Sequence, residues 1–354
     1  MQHTPLRSRH RAPQRIAVVG AGMAGVACAR TLVQAGHDVA VFERLPQAGG
    51  RTAALESPFG HFDAGAQYFT VRDARFERAL ATVPGLCRPW SASTIRVLDA
   101  SGHVASAAPP PKEAHWVATP AMDALVHAWA APLGARLHTR AAVTHVTRDT
   151  LRPQAWQLRT EAPDGATQVH AGFDAVLLSQ PAPQTLALLQ QCGLQTPWSQ
   201  ALQAVRIDPC WTLMLAFAQA VRPGLTTLGP QWNAARSTHH RIAWLARESS
   251  KPGRGQIERW TVQASPVWSQ EHLGDDPARV RAKLVRAFAE ITGIHASPTH
   301  AELRRWTHAQ TQQPLGQPFA WDATSGLGAC GDWCLGHRLE DAFLSGLELA
   351  LAVA

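Results

Sequence analysis

Three groups of residues in this 354-residue chain have the types and spacing needed to hold a dinucleotide. The first is Gly20-Ala21-Gly22-Met23-Ala24-Gly25, entered from the apolar run 16–19 and followed by Ala, Val and Leu at helical spacing as far as Gln34. Gly20 permits the tight turn, Gly22 lets backbone approach a pyrophosphate, and Gly25 lets helix and strand pack closely. The start of the helix presents N–H groups and a partial positive charge to phosphate. The second is Glu43, ending the strand-like run 38–43, 18 residues after Gly25. A carboxylate there accepts both ribose hydroxyls of an adenosine and repels a 2′-phosphate, which points to FAD or NAD rather than NADP. The third is Gly49-Gly50-Arg51, whose N–H groups and guanidinium suit the same pyrophosphate.

These residues need a strand, a turn, a helix and a second strand in order, and residues 15–43 read that way, with Gly36 closing the helix. Thr119-Pro120 reads as the cap and first-turn proline of a helix within 117–131. Short strands follow at 136–140, 143–148, 155–161 and 168–171, with Asp164-Gly165 as a hairpin turn, and then an apolar strand at 174–179. Residues 191–302 have a different texture, rich in Trp, with strands at 211–217, 241–245 and 257–264. Pro277 to Thr292 reads as a helix with Val280, Leu284, Phe288 and Ile291 on one face. The Ala-Pro run at 107–111 reads as a stiff connector.

Composition narrows the class. The chain is 45% hydrophobic and 17% charged, which fits a folded chain with a sizeable core. Its net charge of +7 is carried mostly by scattered arginines, without the single basic element of a nucleic-acid binder. No 18-residue apolar run and no signal-peptide pattern is present, so no membrane association and a cytoplasmic location are expected. The six cysteines lack Cys-x-x-Cys spacing and the histidines lack metal-ligand spacing, so no metal site is expected. Cys330 and Cys334 lie close enough in sequence to be considered for a redox role.

Family resemblance enters through longer segments. Arg44-x-x-x-x-Gly49-Gly50-Arg51 resembles a segment of the flavin-dependent amine oxidase superfamily. That segment, Phe62-Asp63-Ala-Gly-Ala-Gln67-Tyr68-Phe69-Thr70, the run 173–183 and Gly331-Asp332-Trp333-Cys334 together resemble renalase, especially its bacterial relatives, over nearly the whole chain. The resemblance implies an α/β fold: a Rossmann-type FAD-binding domain with an inserted mixed-sheet substrate domain, p-hydroxybenzoate hydroxylase-like or amine oxidase-like. The FAD-binding part is expected at 14–75, 116–190 and 303–354, the substrate part at 76–115 and 191–302, and a flexible basic arm at 1–13. It also implies non-covalent FAD and oxidation of 2- or 6-dihydro isomers of NAD(P)H to NAD(P)+, with O2 reduced to hydrogen peroxide.

By the same resemblance, Val143 contacts the adenine through its backbone, Ser179 lies on the phosphate side, and Asp332 accepts from a ribityl hydroxyl. Leu339 and Glu340, starting the last helix after Gly331, aim N–H groups at the flavin ring. Gln67, Tyr68 and Phe69 are expected on the flavin face, with Trp116 and Arg247 toward a dinucleotide substrate. Hydride transfer between two such rings needs placement rather than a general base, and no catalytic side chain is assigned. An amine oxidase is the alternative enzyme. Many carry a lysine near the flavin, but 209–217 has none, and Lys251 sits in a glycine-flanked loop that promises no fixed contact. A non-catalytic flavoprotein or redox-responsive binding module is the third reading.

Overall fold

The computed structural model describes residues 12–91, 95–106, 113–221, 229–230 and 232–354. Most of the basic arm and the whole 107–111 connector therefore lie outside the described residues. A six-stranded sheet runs in the order Ala320–Asp322, Leu327–Ala329, Ala175–Leu178, Arg15–Val19, Asp38–Phe42, Leu137–His138. It is parallel throughout except at the Ala320–Asp322 edge. Register places Val18 between Leu177 and Val41.

Both faces of this sheet are covered, which is why its strands read as continuous apolar runs. Ile16 and Val18 face the helices Met23–Gln34 and Leu339–Val353, where Val26, Leu32, Leu349 and Val353 complete one core. Ala17 and Val19 point the other way, toward Val146, Trp156 and Leu158 of a three-stranded antiparallel meander. The two covering helices cross at Gly346, where a Cβ would run into the Ala24 carbonyl oxygen.

A seven-stranded sheet holds His300–Gln313, Arg206–Val221, Ile257–Ala264, Ile242–Arg247, Ala234–Ser237, Ile95–Leu98 and Val104–Ser106, in that order. The helix Pro277–Thr292 lies on one face, with Leu284 and Phe288 packed among Leu213, Leu215 and Trp260. Asp276 caps its start by accepting from Arg279 N–H, and Gly293 ends it at φ +71°. Among the described residues no helix is long and apolar enough to cross a membrane.

Two expectations about elements need correction. Residues 116–118 form a strand rather than the approach to a helix, and the helix spans only Ala124–Ala130. The backbone of Trp116–Ala118 pairs with Cys87–Pro89 and bridges to Phe69, so tertiary ladder bonds override the local capping signal. The strand His300–Gln313 also crosses the expected edge at residue 303, because its long pairing with Arg206–Val221 keeps it in the seven-stranded sheet.

The helix crossing generates a test. Gly346→Ala must push the two helices apart, and we expect a loss of about 1–3 kcal/mol in urea denaturation. An unchanged midpoint would show that the crossing has room to spare.

Candidate cofactor and substrate cleft

A cleft of about 1170 Å³ lies between the carboxyl ends of the parallel strands and the seven-stranded sheet. Open α/β sheets bind ligands at this end. Its floor is built almost entirely from backbone. Gly20 N–H donates to Phe42 O at 2.8 Å, and Gly49 N–H donates to Ala21 O at 2.9 Å. A Cβ on Gly25 would overlap the Gly20 carbonyl oxygen, so the helix can start here only with glycine. Gly22 and Gly50 lie back to back, with an ideal Cβ on Gly50 reaching 3.1 Å from Gly22 Cα. Gly22 caps the helix without any side-chain hydrogen bond, leaving first-turn N–H groups to a ligand.

Most of the cofactor residues expected from the sequence meet here. Gly20, Gly22, Met23 and Ala24 line the cleft, as do Glu43, Arg44 and Gly49 through Arg51. Val143 and Ser179 border it, and Gly331, Asp332 and Leu339 close it from the carboxyl-terminal side. Ala21 and Gly25 support the turn from behind rather than lining it. Glu43 is 5% exposed and accepts from Ala21 N–H at 2.8 Å and Leu45 N–H at 2.9 Å, so its carboxylate fixes the turn as well as facing the cleft. Ser179 Oγ–H lies 2.9 Å from Val19 O and 2.8 Å from Gly20 O, joining two strand ends.

Three assignments differ in detail. Arg51 and Asp332 are each other's partner: both guanidinium nitrogens donate to the two carboxylate oxygens, one at 3.0 Å. The fork geometry of Arg with carboxylate explains why they join across the cleft. Glu340 turns its side chain away and accepts from Arg72 and Asp73 N–H at 2.8 and 2.7 Å. The start of its helix faces the cleft through Arg338, Leu339 and Ala342.

Basic side chains gather where a diphosphate would lie. Arg44, Arg51, Arg304 and His308 all line the cleft. Burial, and after it Arg44, pushes the Arg304 guanidinium down. Burial, then Arg51 and Arg44, lowers the His308 imidazole. Guanidinium groups held this close, around uncapped N–H groups and a donor-bearing imidazole, fit a dinucleotide of the expected kind.

The residues expected at the substrate end, Gln67, Tyr68 and Phe69, all line the cleft. Gln67 is not free to contact substrate: its amide donates to Asp63 O and Gly65 O at 2.5 and 3.0 Å and accepts from Lys251 Nζ at 3.3 Å. Tyr68 packs its ring against His115 at 4.2 Å and Trp244 at 5.7 Å between centroids. Trp116 and Arg247 do not reach the cleft. Trp116 is committed to its strand, and Arg247 is a core residue paired with Glu258 at 3.0 Å, bonded to Pro230 O and stacked 4.6 Å over Trp260.

Sequence reasoning missed a buried ionic cluster behind Gln67. Lys251 is 2% exposed, and Nζ donates to Asp63 at 2.7 Å and Glu248 at 2.9 Å besides Gln67. Arg254 also donates to Asp63, at 2.7 Å. The loop that promised no fixed contact is therefore among the most constrained in the chain. All three ammonium donors are used, leaving none for a water at the cofactor. Burial pushes the Asp63 carboxyl up, but Lys251 and Arg254, helped by Met122 N–H, bring it below its usual value. The only sequence signal was a carboxylate inside the apolar run 62–70. Cys330 and Cys334 are both fully buried, and burial raises the Cys334 thiol. The Cys330 thiol is raised by a hydrogen bond with the free Cys28 thiol and then by burial, so neither has the exposed, lowered-pKa environment of a redox sensor.

Comparison with known proteins agrees with the geometry. Residues 18–82 match the NAD(P)-binding Rossmann-like domain, and residues 91–354 match the flavin containing amine oxidoreductase family. The chain belongs to that family, and family membership implies a flavin cofactor. Over 56 residues it is 45% identical to a Bacillus subtilis (strain 168) protein named "Putative L-amino-acid oxidase YobN", which is 15% of this chain and 12% of that relative's length. A solved structure titled "Putative protoporphyrinogen oxidase" from Exiguobacterium sp. 255-15 superposes with a TM-score of 0.75 at 12% identity, covering 97% of this chain and 99% of that one. A putrescine oxidase triple mutant gives 0.70 at 11% identity, covering 96% and 98%. At such identities these two show the shared flavin-oxidase fold.

Two tests follow from the cleft. Gly22→Val places a branched side chain where a pyrophosphate would approach, and Glu43→Ala removes the acceptor of two N–H groups. Purified Gly22→Val should be colourless and Glu43→Ala should bind FAD at least tenfold more weakly by fluorescence titration; a fully yellow Gly22→Val protein contradicts the pyrophosphate contact. Asp63→Asn leaves Lys251 and Arg254 short of a counter-charge and should cost about 3–5 kcal/mol. Because the folded Asp63 value is depressed, its stabilisation is complete above about pH 4 and is lost as pH falls through the folded value. Denaturation midpoints measured from pH 7 down to pH 3 should therefore fall less steeply in Asp63→Asn, and parallel curves would refute this.

Proposed function

We propose that this chain is a renalase-like oxidoreductase that holds FAD non-covalently and oxidises 2- or 6-dihydro isomers of NAD(P)H. The overall reaction consumes the dihydro isomer, a proton and O2, and yields NAD(P)+ and hydrogen peroxide. The observation carrying this reading is the state of the carboxylates at the substrate end. Among the described residues, Glu113 is paired with Arg72 at 2.6 Å and Asp332 with Arg51, so neither carboxylate stands unpaired to attract a substrate ammonium. The aromatic wall of Tyr68 and Trp244 instead suits a flat ring.

When bound, the flavin supplies the hydride acceptor and passes two electrons to oxygen. The chain supplies placement. The glycine turn and the start of the last helix would hold the two ends of the cofactor, and the Gln67–Phe69 segment would set the surface for the second ring. Gln67, anchored through Lys251, keeps this segment from shifting. The six-stranded sheet and its meander carry the cofactor in this reading, and the seven-stranded sheet faces the substrate.

Amine oxidation is compatible with the family, and the saturated ammonium of Lys251 weighs against it. Anaerobic mixing separates the two. Rapid bleaching of the bound flavin by 6-dihydro-NAD, with none by benzylamine or spermine, is expected. Bleaching by an amine alone would replace this reading with amine oxidation, and no bleaching by any donor would favour a non-catalytic flavoprotein.

A further inference from the structure

We propose that Tyr68, His115, Trp244 and Arg236 form a subsite for a flat ring that bears a carbonyl substituent and is joined to an anionic group such as a phosphate. The inference deepens, and rests on, the reading of this cleft as the substrate end of a flavin oxidoreductase. All four residues line the cleft.

Two buried ring nitrogens carry the argument. Trp244 is 8% exposed, as is His115, and neither Trp244 Nε1 nor His115 Nδ1 has a hydrogen-bond partner among the described residues. A buried polar group left unpaired is costly, so such atoms at a cleft wall mark where a ligand supplies the missing bond. Indole N–H only donates, so it requires an acceptor: a carbonyl or an anionic oxygen. Burial first, then the Arg236 guanidinium, lowers the His115 imidazole, outweighing the pull of Glu113. A neutral ring offers one donor and one acceptor, which suits a carboxamide and not an ammonium, which has donors only.

The surrounding shape agrees. Tyr68 stands between the two rings, 4.2 Å from His115 and 5.7 Å from Trp244, with interplanar angles of 48° and 38°. Trp90 backs the group at 6.5 Å and spends its own Nε1–H on Ser250 Oγ at 3.0 Å, which leaves the front rings to define the opening. Arg236 lies directly opposite Trp244 in the antiparallel register, so both side chains fall on the same face of the sheet. It is exposed and has no ion pair among the described residues, whereas Arg72, at the same mouth, is taken by Glu113. An anionic group joined to the stacked ring would complete Arg236.

Non-reacting ligands test the subsite independently of turnover. Nicotinamide mononucleotide and nicotinamide riboside differ only in the phosphate, and binding of each to the FAD-loaded protein is read from the change in flavin absorbance. We expect the mononucleotide to bind at least tenfold more tightly than the riboside. Arg236→Gln should reduce that ratio below threefold while FAD content and melting temperature stay unchanged. Trp244→Phe, which removes the indole donor and keeps a ring, should weaken both ligands alike. Equal affinity of the two ligands for the unmodified protein overturns the proposal, as does an undiminished ratio in Arg236→Gln or no binding of either ligand at millimolar concentration. Phosphate discrimination without bleaching by dihydro isomers would keep the subsite and reject the reaction; bleaching without discrimination would do the reverse.

Discussion

The architecture depends on close backbone approach at one point. Gly20, Gly22 and Gly25 bring the first helix onto the end of the first strand, and Gly50 presses against Gly22 from the neighbouring loop. No side chain separates these segments. Glu43 and Ser179 then tie the same turn to the second strand and to the strand Ala175–Leu178. Four chain segments are thus held at one junction by hydrogen bonds to backbone. A floor without side chains can bring N–H groups up to an anionic ligand, and its rigidity comes from neighbours rather than from the turn itself.

The second junction joins the Phe62–Asp63 strand to the loop that enters the seven-stranded sheet, and it works by the opposite means. Asp63 belongs to the segment leading to the cleft, whereas Glu248, Lys251 and Arg254 come from the loop before the strand Ile257–Ala264. Their charges are out of water and compensate one another. Such a cluster contributes little net stability compared with apolar packing, but it strongly penalises any displacement that separates its members. Gln67 transmits this constraint to the cleft wall, because its amide is shared between Lys251 and two carbonyls. The wall is therefore set by charge pairing a few ångströms behind it.

Between these junctions the cleft changes character along its length. Arginines and a histidine surround the glycine turn, and rings surround the far end, where Arg72 is paired with Glu113 and Arg236 has no ion pair among the described residues. A ligand with an anionic middle and flat ends matches this order. The two ends are also built differently: backbone and fixed pairs dominate around the glycine turn, whereas the far end is lined by side chains from several segments, Trp244 and Arg236 of the seven-stranded sheet among them.

The glycine turn and the acid that ties it down were readable because their constraint is local. A glycine turn after an apolar strand, and an acid at the end of the next one, act within about 30 residues of chain, and the strand at 15–19, the helix at 23–34 and the helix at 277–292 follow from short-range period and caps. Trp116 and Arg247 show the limit. Their types suited a binding role, but strand pairing kept the first in a ladder, and Glu258 with Trp260 kept the second in the core. Lys251 shows it in reverse: a loop that sequence read as loose is rigid because Asp63, 188 residues away, is its partner. The chain's own order of residues determined the glycine turn, the α/β class and the helices at 23–34 and 277–292, since these depend on neighbours within a few turns. Which polar groups face the cleft and which are consumed behind it was decided only by tertiary contact, because that depends on partners from distant segments meeting out of water.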